Sequence, residues 1–280
     1  MKITVLGWFL FMISVYSVKA QNNFALDLNF KTQPTEKITL NETSIGLSFS
    51  KKINAKNKFS NTLNYTNLNV KYSLLNFESL QNLNRFNQFQ NKLEFSHQFS
   101  NTTQFNLEVT PTANFEQDFD FSVVSVLGSL NVVQQLGLNT NFTIGAARTT
   151  AFGLPKLLPV ASFYHKINNE SSLLIGFPYS KISYSNNIRN TFSLTNHFNG
   201  NFYYLDVQNS LSGSGTKASL SQITTALEYQ RNMDENWFMV FKAGYDFDKK
   251  YILTDQNNHK TYDFNIDNGY LFSIGIKYKH

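Results

Sequence analysis

From Gly269 to the C-terminus the chain reads Gly-Tyr-Leu-Phe-Ser-Ile-Gly-Ile-Lys-Tyr-Lys-His. Tyr270, Phe272, Ile274, Ile276 and Tyr278 stand two apart, so in an extended chain all five project from one face. Leu271, Ser273, Gly275 and Lys277 take the other face, which is mostly small or polar. The same alternation recurs along the whole chain, so the fold is expected to be built from strands with one apolar face each.

At the other end, Lys2, the apolar run Ile3 to Val15 and Ser17-Val18-Lys19-Ala20 before Gln21 have the three parts of a secretory signal. The run is shorter than the roughly 20 residues that a membrane-spanning helix needs. Cleavage after Ala20 leaves one domain over residues 21–280, with no linker and no insertion large enough to be a plug. The chain has no cysteine, which excludes a lipidated N-terminal cysteine, disulfides and thiolate metal sites.

Of 24 basic residues, removal of Lys2 and Lys19 leaves 22 against 19 acidic ones, a mild excess. No basic run or nucleic-acid motif accompanies it, so nucleic acid is not an expected partner. More telling is the pairing of 27 Phe and 14 Tyr with only 15% charged residues in an Asn-, Ser- and Thr-rich chain. That balance suits an inside-out barrel, with aromatic girdles outside and neutral polar groups within.

Taken in order, Phe24, Leu26, Leu28 and Phe30 mark a first strand of about nine residues, the length of a tilted membrane crossing. Ile45, Leu47 and Phe49 lead through Asn54–Asn57 into Phe59, Leu63 and Tyr65. At Thr66-Asn67 the apolar phase slips to Leu68, Val70 and Tyr72, which predicts a β-bulge. A polar segment from Ser73 to Arg85 reads as an outer loop. Phe119, Phe121 and Val123 are expected to begin a descending strand that runs through Val132. Pro155, Pro159 and Pro178 lie among short strands and predict early turns and a low wall, since proline cannot donate to a ladder. Ser210–Thr216 is Gly/Ser-rich.

The hairpin around Ser100–Thr103 has Leu93, Phe95, Phe99, Phe105, Leu107 and Val109 on one face. Opposite them lie Lys92, Glu94, Ser96, Gln98, Gln104, Asn106, Glu108 and Thr110, a hydrophilic interior. One such hairpin also fits a soluble β-sandwich, the alternative fold; repetition along the chain and the export signal favour the barrel. The count is about 14 antiparallel up-and-down strands, or 12 if Pro178–Leu205 is a loop.

No residue pattern supports catalysis or metal binding. Ser96 and His97 are adjacent in a strand and point to opposite faces. His197, in His-Phe-Asn-Gly, resembles the histidine strand of outer-membrane phospholipases, but Asn199 stands where the nucleophilic serine belongs. His165, His259 and His280 have no metal-ligand spacing. Asp246 and Asp248, two apart, are expected to share the inward face as a solvated upper lumen. The expected lumen-facing residues are Lys92, Glu94, Gln98, Glu108, Glu228, Lys242, Asp246 and Lys277. Their mixed signs would tune permeation or rigidify the wall; no cofactor is implied.

The terminal strand with Tyr278 near its end resembles the closing strand of a bacterial outer-membrane β-barrel, although Lys279-His280 follow the aromatic. Together with Gly-Leu-Pro, Gly-Phe-Pro and Tyr184 between Gly153 and Tyr184, it resembles a family of uncharacterised outer-membrane β-barrels of Gram-negative bacteria. The resemblance implies a C-terminus in the periplasm, contact with outer-membrane lipid, insertion by the barrel-assembly machinery, and no catalytic residue. The leading functional expectation is a passive pore or transporter for small solutes. A structural or surface-binding barrel that presents its loops comes second, and a lipid-modifying enzyme third.

Overall fold

The computed structural model describes residues 23–73, 83–206 and 215–280. The expected signal peptide therefore lies outside the described residues, as do 74–82 of the Ser73–Arg85 loop and 207–214 of the Gly/Ser-rich segment. The strands are β1 (Asn23–Pro34), β2 (Ile38–Lys52), β3 (Asn57–Tyr72), β4 (Arg85–Gln98), β5 (Thr103–Phe115), β6 (Val124–Gly137), β7 (Thr140–Thr149) and β8 (Lys156–Lys166). They continue with β9 (Ser171–Phe177), β10 (Tyr179–Ser185), β11 (Asn190–Tyr204), β12 (Lys217–Asn232), β13 (Trp237–Thr254), β14 (Lys260–Asp263) and β15 (Gly269–Lys279).

Each strand pairs antiparallel with its sequence neighbours from β1 to β13, and β15 closes the ring between β13 and β1. β14 is a short addition to the upper end of β13, so the barrel has 14 strands. Closure sets Leu28 opposite Ile276 and Phe30 opposite Ile274. β10 and β11 are genuine crossings, joined over Tyr179 to Ser185, and the 12-strand count does not hold.

Alternation decides which side faces out. Phe30, Ile45, Phe89, Leu227, Phe241, Phe272 and Ile274 are exposed on the outer surface, while Ser, Thr, Asn and paired charges fill the inner one. At the end carrying the short turns, Phe24 packs on Phe49 and Tyr278, and Tyr278 on Trp237, with ring centroids 5.1 to 6.2 Å apart. This is an aromatic girdle, suited to an interface that is apolar on one side and wet on the other.

Above the apolar band the pattern inverts. Ile38, Leu40, Leu68, Val70, Ala218 and Leu220 are buried inside, on the face that lower down carries Ser44, Ser48, Thr62 and Asn64. At that height the outer face is polar, with Thr39, Asn41, Asn67, Asn69 and Lys71. The phase slip at Thr66-Asn67 is therefore not a bulge: β2–β3 pairing runs unbroken from Ile38–Tyr72 to Lys52–Lys58. Where strands leave the apolar band, their outer face meets water and their inner face must supply the core.

The bulge lies instead on β13, opposite Ser221–Ile223 of β12. Asp248 has φ 45° there, and the extra residue shifts parity so that Lys249, Tyr251 and Leu253 point inward beyond it. Asp248 turns outward to pair with Lys250 at 2.9 Å, so it does not share Asp246's face. A second difference concerns Phe121–Val123, which form a 3-10 turn capped by Asp120. β6 begins only at Val124, and its outward residues are Val124, Val126, Leu130 and Val132.

β7 to β10 are 10, 11, 7 and 7 residues long, against 12 to 18 for β1–β5 and β11–β13. This is the low wall that the prolines predict. Above it, β5 and β11 meet directly through Phe115 and Tyr204, although five strands separate them around the barrel. The loop-side end is thus narrowed into a cap, filled by a large apolar cluster with a smaller one around Phe115 beside it. Phe86 stacks on Tyr203 at 4.8 Å and Tyr251 on Phe264 at 4.0 Å.

Candidate functional site: the barrel interior

Below the cap, the inner faces enclose a cavity of about 1010 Å³, lined by Asn64, Gln90, Asn199, Gln222 and Thr224 among other polar groups. Most of its charges are paired. Lys31 meets Glu42 at 2.7 Å and Lys277 meets Asp27 at 2.8 Å, each pair on adjacent strands. Glu228 on β12 is held between Lys181 of β10 at 2.9 Å and Lys242 of β13 at 3.1 Å. Register produces this, because Glu228 lies opposite both Ser193 and Lys242, with Lys181 one strand further on.

Lys92, Glu108, Glu228, Lys242 and Lys277 line the cavity. Glu94 sits opposite Glu108 and pairs with Lys92 at 3.2 Å. Gln98 ends β4 at the turn, where its side-chain amide donates to the Ser100 carbonyl at 2.6 Å. Asp246 does not line the cavity: it is fully buried between cavity and cap. There it accepts hydrogen bonds from Gln33 Nε2 and Thr224 Oγ1, both at 2.6 Å. The patterns did not single out Lys31, Glu42 or Lys181, although their alternation with Phe30, Thr43 and Ile182 is the signal that would have found them.

The histidines are dispersed. His97 bonds Asn57 at 2.7 Å, His165 bonds Thr140 at 2.9 Å, and His259 pairs with Asp255 at 3.3 Å in the loop after β13. His197 reaches the cavity, its ring edge-on to Tyr179 at 5.6 Å. Among the described residues no three His, Asp or Glu side chains are grouped to hold a metal ion.

One boundary of the cavity differs from the rest. The loop 150–155 between β7 and β8 lies against β11 and β12, where Thr150 Oγ1 donates to the Gly200 carbonyl at 2.7 Å. Two glycines make the approach possible. A Cβ at Gly200 would lie 2.5 Å from the Thr150 and Leu220 carbonyl oxygens, and Gly153, at φ 89°, would press one onto Ser219 Oγ. The cavity lining runs up to Thr150, Ala151, Pro178 and Phe198 beneath this loop. Outside, Phe152, Phe177 and Phe198 close into a ring trio with centroids 5.2 to 6.0 Å apart.

None of the curated proteins compared with the chain matches it. Among solved structures it is similar to the COG4313 outer membrane channel from Pseudomonas putida F1, with 8% identity, TM-score 0.49, and 95% of this chain and 98% of that one covered. It is also similar to a TodX monoaromatic hydrocarbon channel deltaS2S3 mutant, with 11% identity, TM-score 0.49, and 92% and 90% covered. A third is the translocator domain of autotransporter NalP from Neisseria meningitidis, with 8% identity, TM-score 0.40, and 100% and 96% covered. At these identities the likeness is one of barrel architecture. A family model matches residues 17–279, and the chain belongs to that family, described as Domain of unknown function (DUF6268).

Proposed function

We propose that this protein is an outer-membrane barrel that passes small polar solutes through its interior, with the short turns in the periplasm and the cap at the cell surface. The observation that carries the reading is the polar, charge-lined cavity of about 1010 Å³ inside a closed barrel with an apolar outer band. A barrel with only a scaffolding role has no need of an interior held open by ion pairs.

The cap argues against a straight, permanently open pore. Ile38, Leu83, Phe86, Tyr203, Tyr251 and Leu253 are each 0 to 2% exposed. Opening the axis would expose them together, at a cost on the order of 10 kcal/mol. The loop 150–155 is held to β11 by one side-chain hydrogen bond, worth about 1 kcal/mol, and by the Phe152–Phe198 ring contact, worth about 1 kcal/mol more. The cheaper exit is therefore at the low wall, beside Gly200.

A cross-link tests this directly, because the chain has no cysteine of its own. A Cβ at Gly153 would stand 3.5 Å from Ser219 Cβ, within the separation of about 3.5–4.5 Å that a disulfide requires. Refolded protein in planar bilayers is expected to conduct, the oxidised G153C/S219C variant to fall silent, and reductant to restore it. A wild-type barrel silent under all conditions would leave the second reading, a surface-binding barrel, which the packed cap favours.

A further inference from the structure

We infer that the upper cavity, directly beneath the cap, is a binding site for an uncharged polyhydroxy solute of monosaccharide size, built from Gln90, Asn199 and Gln222 with Tyr179 and His197; this rests on the reading of the cavity as a path for polar solutes and names their class. The site is roofed by a bridge across the barrel. Gln88 of β4 donates through Nε2 to Asn201 Oδ1 of β11 at 3.3 Å and to Asn114 Oδ1 at 2.7 Å, so two walls that are not neighbours in the sheet meet there. One inward position lower on these two strands stand Gln90 and Asn199. Gln222 of β12 lies opposite Asn199 in the register, and all three line the cavity. Tyr179, His197 and Thr224 form the next inward row below, across β10, β11 and β12. That row spans two strand spacings, about 10 Å, a width that one sugar ring bridges with side chains reaching in from both sides.

These amides are not spent on the protein. Gln222 is only 9% exposed, yet neither its amide nor that of Gln90 has a hydrogen-bond partner among the described residues. Asn199 donates through Nδ2 to Thr224 Oγ1 at 3.0 Å and to the His197 carbonyl at 3.1 Å, which leaves its Oδ1 without a partner. A buried amide left unmet costs about 1–3 kcal/mol. Water can meet each one singly, but a solute with several hydroxyls meets them together without the entropy of ordering several waters.

The chemistry selects the class. An open amide offers a donor and an acceptor side by side, which a hydroxyl, itself both, satisfies; a carboxylate cannot donate and an ammonium cannot accept. The charges that border the amides are already matched, Lys31 with Glu42 at 2.7 Å. A recess of about 40 Å³ bounded by that pair, Asn199 and Gln222 has room for one water-sized group such as a hydroxyl. Below it the Tyr179 and His197 rings stand at 90°, their centroids 5.6 Å apart, and the Tyr179 hydroxyl and the His197 ring nitrogens have no partner among the described residues. Such a corner presents apolar ring surface to the C–H face of a sugar and polar atoms to its hydroxyls.

The test uses the full refolded chain in an amine-oxide detergent, which carries no sugar headgroup, and titrates glucose, galactose and myo-inositol by ligand-observed NMR. Glucuronate and glucosamine serve as charged counterparts of the same ring. At least one neutral compound is expected to bind below about 50 mM, and the charged ones about tenfold or more weakly. Q90A/Q222A is expected to raise Kd about tenfold or more, and Q104A, which removes an amide outside the cavity lining, to leave it unchanged. Because neither Gln90 nor Gln222 bonds the protein, the double variant is expected to fold as the wild type does, which heat-modifiable gel migration checks; Y179L, expected to weaken binding by a similar factor, is the second variant. No binding of any neutral compound, equal affinity for the charged counterparts, or an unchanged Kd in a folded Q90A/Q222A or Y179L barrel overturns the inference. A barrel that binds a neutral sugar but never conducts keeps this site and loses the proposed transport, whereas one that conducts without binding loses the site alone.

Discussion

Asp246 and Lys249 are both fully enclosed and stand 3.4 Å apart, three positions along the same strand. In a regular strand residues three apart point to opposite faces; the bulge at Asp248 puts both on the inside. The pair marks the boundary between polar cavity and apolar cap. Asp246→Ala leaves the Lys249 ammonium buried and unpaired, with an expected loss of about 3–5 kcal/mol in urea unfolding of the refolded barrel. D246L/K249M is expected to recover most of it, as the two apolar side chains extend the cap downward.

Gly200→Val is expected to push the loop 150–155 off β11. The new side chain meets backbone on three sides: the Thr150 carbonyl, the Leu220 carbonyl and the Gly153 N–H. Loss of the Thr150 hydrogen bond should cost about 1 kcal/mol locally and raise open-channel frequency in bilayers. Unchanged conductance in a folded G200V barrel would count against the low wall as the exit.

Glu228→Gln keeps the shape of the inner cluster but leaves Lys181 and Lys242 facing each other without their shared carboxylate. These groups are part-exposed on the cavity wall, so screening limits the loss to about 1–2 kcal/mol. Urea unfolding at two ionic strengths checks it, and the deficit should shrink at high salt.

The cap should be sensitive to alkali. Tyr72 and Tyr251 share a hydrogen bond at 3.0 Å, and Tyr72 OH also donates to the Leu83 carbonyl at 2.8 Å. Burial pushes both phenols well above their ordinary value of 10.0. The folded cap thus favours the protonated form. Its contribution is fully present below the unfolded pKa of about 10 and is lost as pH rises beyond it toward the folded value. Near-UV circular dichroism is expected to hold up to about pH 10 and then fall together with the rise of tyrosinate absorbance. Y72F/Y251F should move that onset upward.

Much of the architecture was legible from period-two alternation. Tyr270 to Tyr278 on β15 and Phe24 to Phe30 on β1 were each readable as a strand with one apolar face, and the structure pairs them with those faces on the same side. Gly153-Leu-Pro and Phe177-Pro178 were readable as early turns, since a proline cannot donate to a ladder and glycine or an aromatic beside it closes the strand end, whereas Pro159 and Pro111 are carried within β8 and β5. The cap was not legible. Leu68 and Val70 show only that the apolar phase changes, and a bulge and a change of environment leave the same trace in a sequence. Asp246 and Asp248 were likewise assigned one face, because nothing local to Phe247 announces the extra residue on β13.

The sequence by itself determined that this chain alternates and turns its aromatic residues outward, because those are consequences of side-chain spacing along single strands. Only the tertiary structure decided that β5 meets β11 above a low wall, that Phe86 stacks on Tyr203, and that the loop at Gly153 rests on Gly200. These contacts join segments far apart in the chain, and their stability comes from apolar area removed from water across the barrel, a quantity no single strand contains.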